Sequence, residues 1–409
     1  MTEVAPFRGL LYDPQRVSLS DVTAPPYDVI TPDMQTQLYD KSPFNIVRVD
    51  WAVEKPGDND EVNKYVRAAE TLKSWINTGT MKFRDKPAYF LYEVSYKYRA
   101  AVKKMRGLFA AVKLVKPGDG IYPHEETHSK PKQDRLNLMR SCRANTSPVF
   151  SLYNSADMTL IGIMDACNAT APYFQYSGSD EILHRCWIID NGDSVAKITR
   201  ALKGESFFIA DGHHRYETAL EYQKLIKGSN GQARGPQPCD YILMLITNIR
   251  DGGITILPTH RMVAGITAST LERLNQYFDV QFVGVDVPIT DYISGKATTF
   301  GLYLRQSGYY ALRYKGVRPD GLAGIDVMIL HDIILGKLYN VSDFGYEMSV
   351  ERTVESVKSG RYDAAIFLNP TRVEDVELSA KTGVRMPPKS TYFYPKIPTG
   401  IVINYLDKH

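Results

Sequence analysis

The densest chemistry in the chain runs Phe208-Ile209-Ala210-Asp211-Gly212-His213-His214-Arg215-Tyr216-Glu217. The apolar stretch Ser206 to Ala210 precedes it and the amphipathic stretch Tyr216 to Lys227 follows, so the pattern predicts a strand, a tight turn and a helix. Glycine has no Cβ, so Gly212 permits both the turn and the close approach of a ligand. The first N–H groups of a helix are unpaired and the dipole is positive there, which favours an anion. His213, His214 and Arg215 would add donors suited to phosphate oxygens, while Asp211 would hold a metal ion or orient a histidine. The plain alternative makes Asp211 a helix cap beside two solvated histidines. Two histidines and an arginine at one helix start favour the functional reading. Zinc is disfavoured, because neighbouring histidines rarely face one metal and no cysteine is close by.

A second constellation is Tyr122-Pro123-His124-Glu125-Glu126-Thr127-His128-Ser129-Lys130-Pro131-Lys132. A carboxylate here would accept a proton from a substrate hydroxyl, and Lys130 and Lys132 would meet phosphate. His124-Glu125-Glu126-Thr127-His128 has the letter spacing of the helical His-Glu-x-x-His zinc motif. The flanking prolines Pro123 and Pro131 leave too short a helix for it, and no third ligand is obvious; a merely solvated loop is the other alternative. Weaker polar groups follow apolar segments at Arg143 and Asn145 and at His260 and Arg261, candidates for substrate binding. The stretch Met386 to Lys396 is rigid, basic and aromatic, and reads first as structural. There is no Walker A loop, no dinucleotide-binding glycine fingerprint and no protein-kinase motif set.

The elements that must position these residues alternate hairpins with helices. Asp58 to Asn77 has helical spacing, with Val62, Val66, Ala69, Leu72 and Ile76 on one face and Gly79 beyond its end. Ala88 to Tyr98 and Met105 to Val115 read as a hairpin, and a helix carries Leu136, Leu138 and Met139. Tyr241 to Asn248 is a buried-strand candidate. After Pro258-Thr259-His260-Arg261 the rhythm changes: Ser269 to Phe278 and Val327 to Leu338 are helical, Phe300 to Arg305 and Tyr309 to Tyr314 form a hairpin, and Ala364 to Leu368 is a strand. The expected class is α+β, with domains over 1–262 and 263–409.

With 409 residues the chain can bury a full core. Forty-nine Lys and Arg against 46 Asp and Glu leave a net charge of +3, too balanced to imply a nucleic-acid or acidic-membrane partner. Mean hydropathy is −0.27 and no apolar run approaches the ~20 residues that span a bilayer. The opening residues lack the pattern of a secretory signal, and the four cysteines form no Cys-x-x-Cys pair, so a cytoplasmic protein is expected.

Pro6-Phe7-Arg8, Ala24-Pro25-Pro26-Tyr27-Asp28, Pro123-His124-Glu125, Ala210-Asp211-Gly212-His213-His214-Arg215, Leu257-Pro258-Thr259-His260-Arg261 and Lys389-Ser390-Thr391 together resemble the family called domain of unknown function 1015, across nearly the whole chain. The Asp-Gly-His-His-Arg element is also similar to that of the ParB/sulfiredoxin superfamily, which includes archaeal free-serine kinases. The resemblance implies a mixed sheet with a ParB/sulfiredoxin-like core and a smaller C-terminal α+β part. It implies phosphate contacts at Gly212, His213, His214 and Arg215, metal or phosphate work at Asp211, and a base at Glu125, with Glu126 as its competitor. The sulfiredoxin-type cysteine is missing from the turn, and no helix-turn-helix or basic stripe supports DNA binding. The expected function is a nucleotide-dependent phosphotransferase acting on a small hydroxylated metabolite, free serine first, with ATP or ADP as donor and Mg²⁺ as cofactor. A phosphatase acting on phosphoserine or another small molecule stands second. A non-catalytic nucleotide-sensing or protein-binding module stands third.

Overall fold

The computed structural model describes residues 2–125, 129–178, 181–229 and 235–407, with the backbone alone at 129, 130 and 229. The chain forms two compact units. The first gathers Met1–Pro123, Thr127–Ile254 and Pro395–His409, and the second gathers His124–Glu126 and Thr255–Tyr394. The units are therefore not consecutive stretches: the chain leaves the first, builds the second and comes back.

The first unit is organised by a nine-stranded mixed sheet. Its order is Ile121–Tyr122, Phe207–Asp211, Val149–Tyr153, Tyr241–Asn248, Ala101–Lys113, Tyr89–Tyr98, Leu183–Ile189 and Phe174–Ser177, with Val4–Ala5 pairing on Ala101–Lys113. Two pairings are parallel, Phe207–Asp211 with Ile121–Tyr122 and Tyr241–Asn248 with Val149–Tyr153. Tyr241–Asn248 lies in mid-sheet and is buried along almost its whole length, which is why its sequence is a continuous apolar run rather than an alternating one. The helix His213–Ser229 lays Tyr216, Ala219 and Tyr222 on the same core as Ile209, Met244 and Ile246, so the spacing of its apolar residues matches the face it buries.

The last segment closes this unit. Asn404–Tyr405 pairs with Ala144–Asn145, and isolated bridges join Leu10 to Ile403 and Ala24 to Thr399.

The second unit carries a six-stranded antiparallel sheet in the order Phe278–Gly284, Gly308–Tyr314, Thr299–Leu304, Ala364–Phe367, His260–Val263 and Phe344–Glu347. Its core includes Ile289, Tyr303, Val354, Val357 and Phe367. With helices beside both sheets, the class is α+β.

Three local departures from the sequence pattern have physical causes. The helix expected from Asp58 begins at Lys64, because the Asn63 side chain accepts from the N–H groups of Tyr65 and Val66 and caps it there. Val62 therefore falls outside the helix and is exposed. Ala268–Gln276 winds as a 3₁₀ helix rather than an α-helix. The helical stretch from Val327 to Leu338 is α only over Asp326–Ile329 and continues as a π-helix over Leu330–Leu338. Among the described residues, no helix is long and apolar enough to cross a membrane.

Candidate functional site

The Asp211 turn forms where the strand Phe207–Asp211 is forced to stop. Its pairing with Val149–Tyr153 shifts register between Ile209 and Asp211, a bulge that re-aims the Asp211 side chain. Gly212 then adopts φ +90°, where an added Cβ would lie 2.9 Å from the Arg215 guanidinium. Helix His213–Ser229 starts at the next residue.

Asp211 is ringed by cations. Lys396 Nζ donates to its Oδ2 at 3.1 Å, Arg215 Nη2 lies 3.5 Å from the same oxygen, and the Gly212 N–H donates to Oδ1 at 2.9 Å. Burial works to raise this carboxyl, but Lys396, Arg215 and His213 outweigh it and hold the group well below the usual carboxylate range. Arg215 also donates through Nη1 to the Pro148 carbonyl, so its fork is fixed on two sides. His213 is buried and His214 half-buried, so the adjacent histidines meet different surroundings. Lys132 donates to Glu217 at 3.0 Å. The side chain of Lys130 and all of Glu126 lie outside the described residues.

Asp211 does not fit as an anchor for Mg²⁺. Its oxygens are taken by Lys396 and the Gly212 N–H, and among the described residues no group of three or more His, Cys, Asp and Glu side chains could hold a metal ion. The turn is instead a concentration of positive charge and N–H groups, suited to an anion.

A polar network in the same unit surrounds Arg135. Arg135 donates through Nε and Nη2 to Asp134 Oδ2 at 3.0 and 2.6 Å and through Nη1 to Asp50 Oδ1 at 3.3 Å. Its guanidinium stacks 4.1 Å from the centre of Tyr27 and 5.3 Å from that of Trp51. Burial pushes the Tyr27 phenol up to about 12 even though Arg135 opposes it. Lys64 and Tyr65 bind the other oxygen of Asp134 at 2.9 Å each.

The remaining expected residues are engaged elsewhere. Asn145 accepts from the Leu243 N–H and from Asn404, tying three strands together. The Arg143 side chain is 59% exposed and donates through Nη1 to both oxygens of Asp407, at 3.0 and 3.3 Å. A wider pocket of about 550 Å³, lined among others by Phe7, Arg8, Tyr241 and Tyr405, holds none of the residues expected to act.

Glu125, His260 and Arg261 belong to the second unit. Glu125 Oε1 accepts from the N–H groups of Ser390 and Thr391 at 3.1 and 3.2 Å and from the Thr391 hydroxyl at 3.1 Å. His124, wholly buried, is 3.1 Å from the same hydroxyl. Arg261 is fully buried and donates to His331 and to the carbonyls of Thr259 and Lys389, under the ring of Tyr346. Burial lowers Arg261 to about 10, His260 to about 4 and His331 to about 3, with Arg261 adding to the effect on both histidines. These groups pin the strand His260–Val263 in the unit's interior.

Sequence reasoning missed Lys396, Asp50, Arg135 and Trp51. Lys396 carried a signal, since it stands in the basic aromatic stretch after Met386; Tyr27 stood in the Pro-Pro-Tyr-Asp motif; Asp50, Arg135 and Trp51 carried none.

Over residues 4–330 the chain matches the family described as protein of unknown function (DUF1015), and it belongs to that family. No curated protein matches it. Among solved structures it is similar to a free serine kinase variant in complex with ADP, at 15% identity and TM-score 0.36, over 73% of this chain and 91% of that one. It is similar to a conserved hypothetical protein from Pyrococcus furiosus at 18% identity and TM-score 0.36, over 72% and 93%. It is also similar to SbnI with a C-terminal truncation from Staphylococcus aureus, at 12% identity and TM-score 0.37, over 70% and 85%.

Proposed function

We propose that this DUF1015 member is a nucleotide-dependent phosphotransferase that binds the donor's phosphates at the Asp211 turn and transfers one to a small hydroxylated metabolite. The observation that carries the reading is the turn itself: a φ-positive glycine and a helix start, with Lys396, Arg215 and His213 gathered round one carboxylate. Phosphoryl transfer asks a protein chiefly to position its reactants and to stabilise charge, and a donor-rich turn does both without covalent chemistry. An incoming phosphate oxygen takes over the cations that Asp211 now holds, together with the helix N–H groups. The cations of the turn would stabilise the charge that develops during transfer. Free serine, the substrate named by the kinase structures above, is the first acceptor to test, with ATP or ADP as donor.

The test is phosphorus NMR of the purified chain with ATP, ADP or pyrophosphate, each with serine or phosphoserine, with and without Mg²⁺. New phosphoserine supports the kinase. Free phosphate from phosphoserine alone would instead make the protein a phosphatase. Nucleotide binding without turnover would make it a sensing module, and silence with no binding would remove the turn from phosphate chemistry.

A further inference from the structure

The Pro6-Phe7-Arg8 motif supplies none of the contacts described at the Asp211 turn and lines instead the open pocket of about 550 Å³ in the first unit. Two alanines make room for that pocket. Val4–Ala5 pairs with Ala101–Lys113 so that Val4 stands opposite Val112 and Ala5 opposite Ala111. Side chains alternate along a strand, so Val4 and Val112 enter the main core while Ala5 and Ala111 face the other side of the sheet. Two methyl groups leave that side hollow. Phe7, Tyr241 and Tyr405 supply aromatic walls, and the volume falls in the range of small-molecule sites.

The charges on the wall decide which class of molecule fits. Arg8 and Asp407 are the ionised groups among the lining residues. Asp407 is already matched, since both its oxygens accept from Arg143 Nη1. Glu3, which accepts from the Tyr241 hydroxyl, is likewise held by Lys113 at 2.9 Å. Arg8 is exposed and donates through Nε to the Arg84 carbonyl at 3.0 Å. Among the described residues its two Nη groups have no partner and no carboxylate opposes it. The pocket therefore offers one unopposed positive charge, in a fork that matches the two oxygens of a carboxylate. A phosphate carries about −1.5 to −2 and three acceptor oxygens, and the lining has no second cation for it. An ammonium is repelled by Arg8 and finds Asp407 taken. A neutral apolar molecule leaves the fork unused.

We propose that this pocket binds a small organic acid with a flat aromatic body, its carboxylate on Arg8 and its ring against Phe7, Tyr241 and Tyr405. Edge-to-face and offset contacts with three rings favour an aromatic body over an aliphatic one. The pocket shares no lining residue with the Asp211 turn, so the proposal stands whether or not the chain transfers phosphate. Its wall joins the N-terminal strand to Asn404, Tyr405 and Asp407, so a bound acid holds the returning C-terminal segment in place.

The experiment titrates 1-naphthylacetate into the full chain by calorimetry, beside acetate, 1-naphthylethylamine and AMP. The naphthylacetate should bind with Kd below about 1 mM, and acetate and the amine at least about tenfold more weakly. Arg8→Gln should lower its affinity roughly 10–100-fold, the range for a lost charge-assisted pair. Ala5→Leu fills the hollow and leaves Arg8 in place; it should lower affinity as well, and it keeps the proposal testable if Arg8→Gln fails to fold. Binding should also slow hydrogen exchange at residues 404–407. No saturable binding to the wild type overturns the proposal, and so does unchanged affinity in both variants. Equal binding of the amine would overturn the charge argument. Tighter binding of AMP, lost in Arg8→Gln, would overturn the carboxylate assignment. Displacement of the probe by pyrophosphate would put it at the Asp211 turn and overturn the pocket.

Discussion

Lys396 and Asp211 are 185 positions apart in the chain, and Lys396 Nζ donates to Asp211 Oδ2 across 3.1 Å. The returning C-terminal segment thus supplies a cation to a turn built from the middle of the sequence. Both groups are largely shielded, with side-chain exposures of 15% and 21%, so the pairing is only partly screened by solvent.

Lys396→Met should weaken ADP and pyrophosphate binding by roughly 10–100-fold, the range expected for one charge-assisted hydrogen bond to phosphate. Calorimetric titration checks it. Affinity within threefold of wild type would show that Lys396 serves Asp211 alone and never meets the ligand.

Gly212→Ala should fold less stably and bind phosphate poorly. Its φ of +90° costs a residue with Cβ about 1–3 kcal/mol, and the new methyl would press on the Arg215 guanidinium at 2.9 Å. Thermal unfolding with and without pyrophosphate measures both losses. An unchanged ligand-induced rise in Tm would count against the turn as the anion site.

Glu125→Ala should destabilise the second unit by about 1–3 kcal/mol, because the N–H groups of Ser390 and Thr391 lose their acceptor. Glu125→Gln keeps an oxygen there and should restore most of that loss. Hydrogen exchange at residues 390 and 391 separates the two variants, and equal protection in Ala, Gln and wild type would refute the fastening role.

Acidification should weaken the second unit between about pH 6.5 and pH 4. His260 titrates near 4 in the folded chain against its ordinary 6.5, so the unfolded chain takes up the proton first and stability falls as pH drops through that window. His331, lowered to about 3, acts in the same direction. Asp211 is also depressed, so its contribution is present above its ordinary 3.8 and is lost only below it. His260→Gln should flatten the slope of Tm against pH between 7 and 5, whatever it does to Tm itself. An unaltered slope would mean that His260 does not titrate as its burial dictates.

Much of the local structure was legible because it follows from periodicity. The apolar run before Asp211, the glycine and the amphipathic stretch after it predict strand, turn and helix, and the structure has them at Phe207–Asp211, Gly212 and His213–Ser229. The hairpin of Tyr89–Tyr98 and Ala101–Lys113 and the buried strand Tyr241–Asn248 follow from the same patterning. Side-chain type and spacing thus determined which residues start a helix, line a sheet and gather charge at one turn. Only the tertiary structure decided what stands opposite that turn. Lys396 reaches Asp211 because residues 395–407 pair back onto the first unit through bridges at Ala24, Leu10 and Asn145. Asp50 meets Arg135 and Thr146 across 85 and 96 positions, and Glu125 is fastened to Ser390 and Thr391 across 265 and 266. Such contacts depend on how buried faces stack. Sequence periodicity fixes which face of an element is buried but carries no information on which distant face it meets.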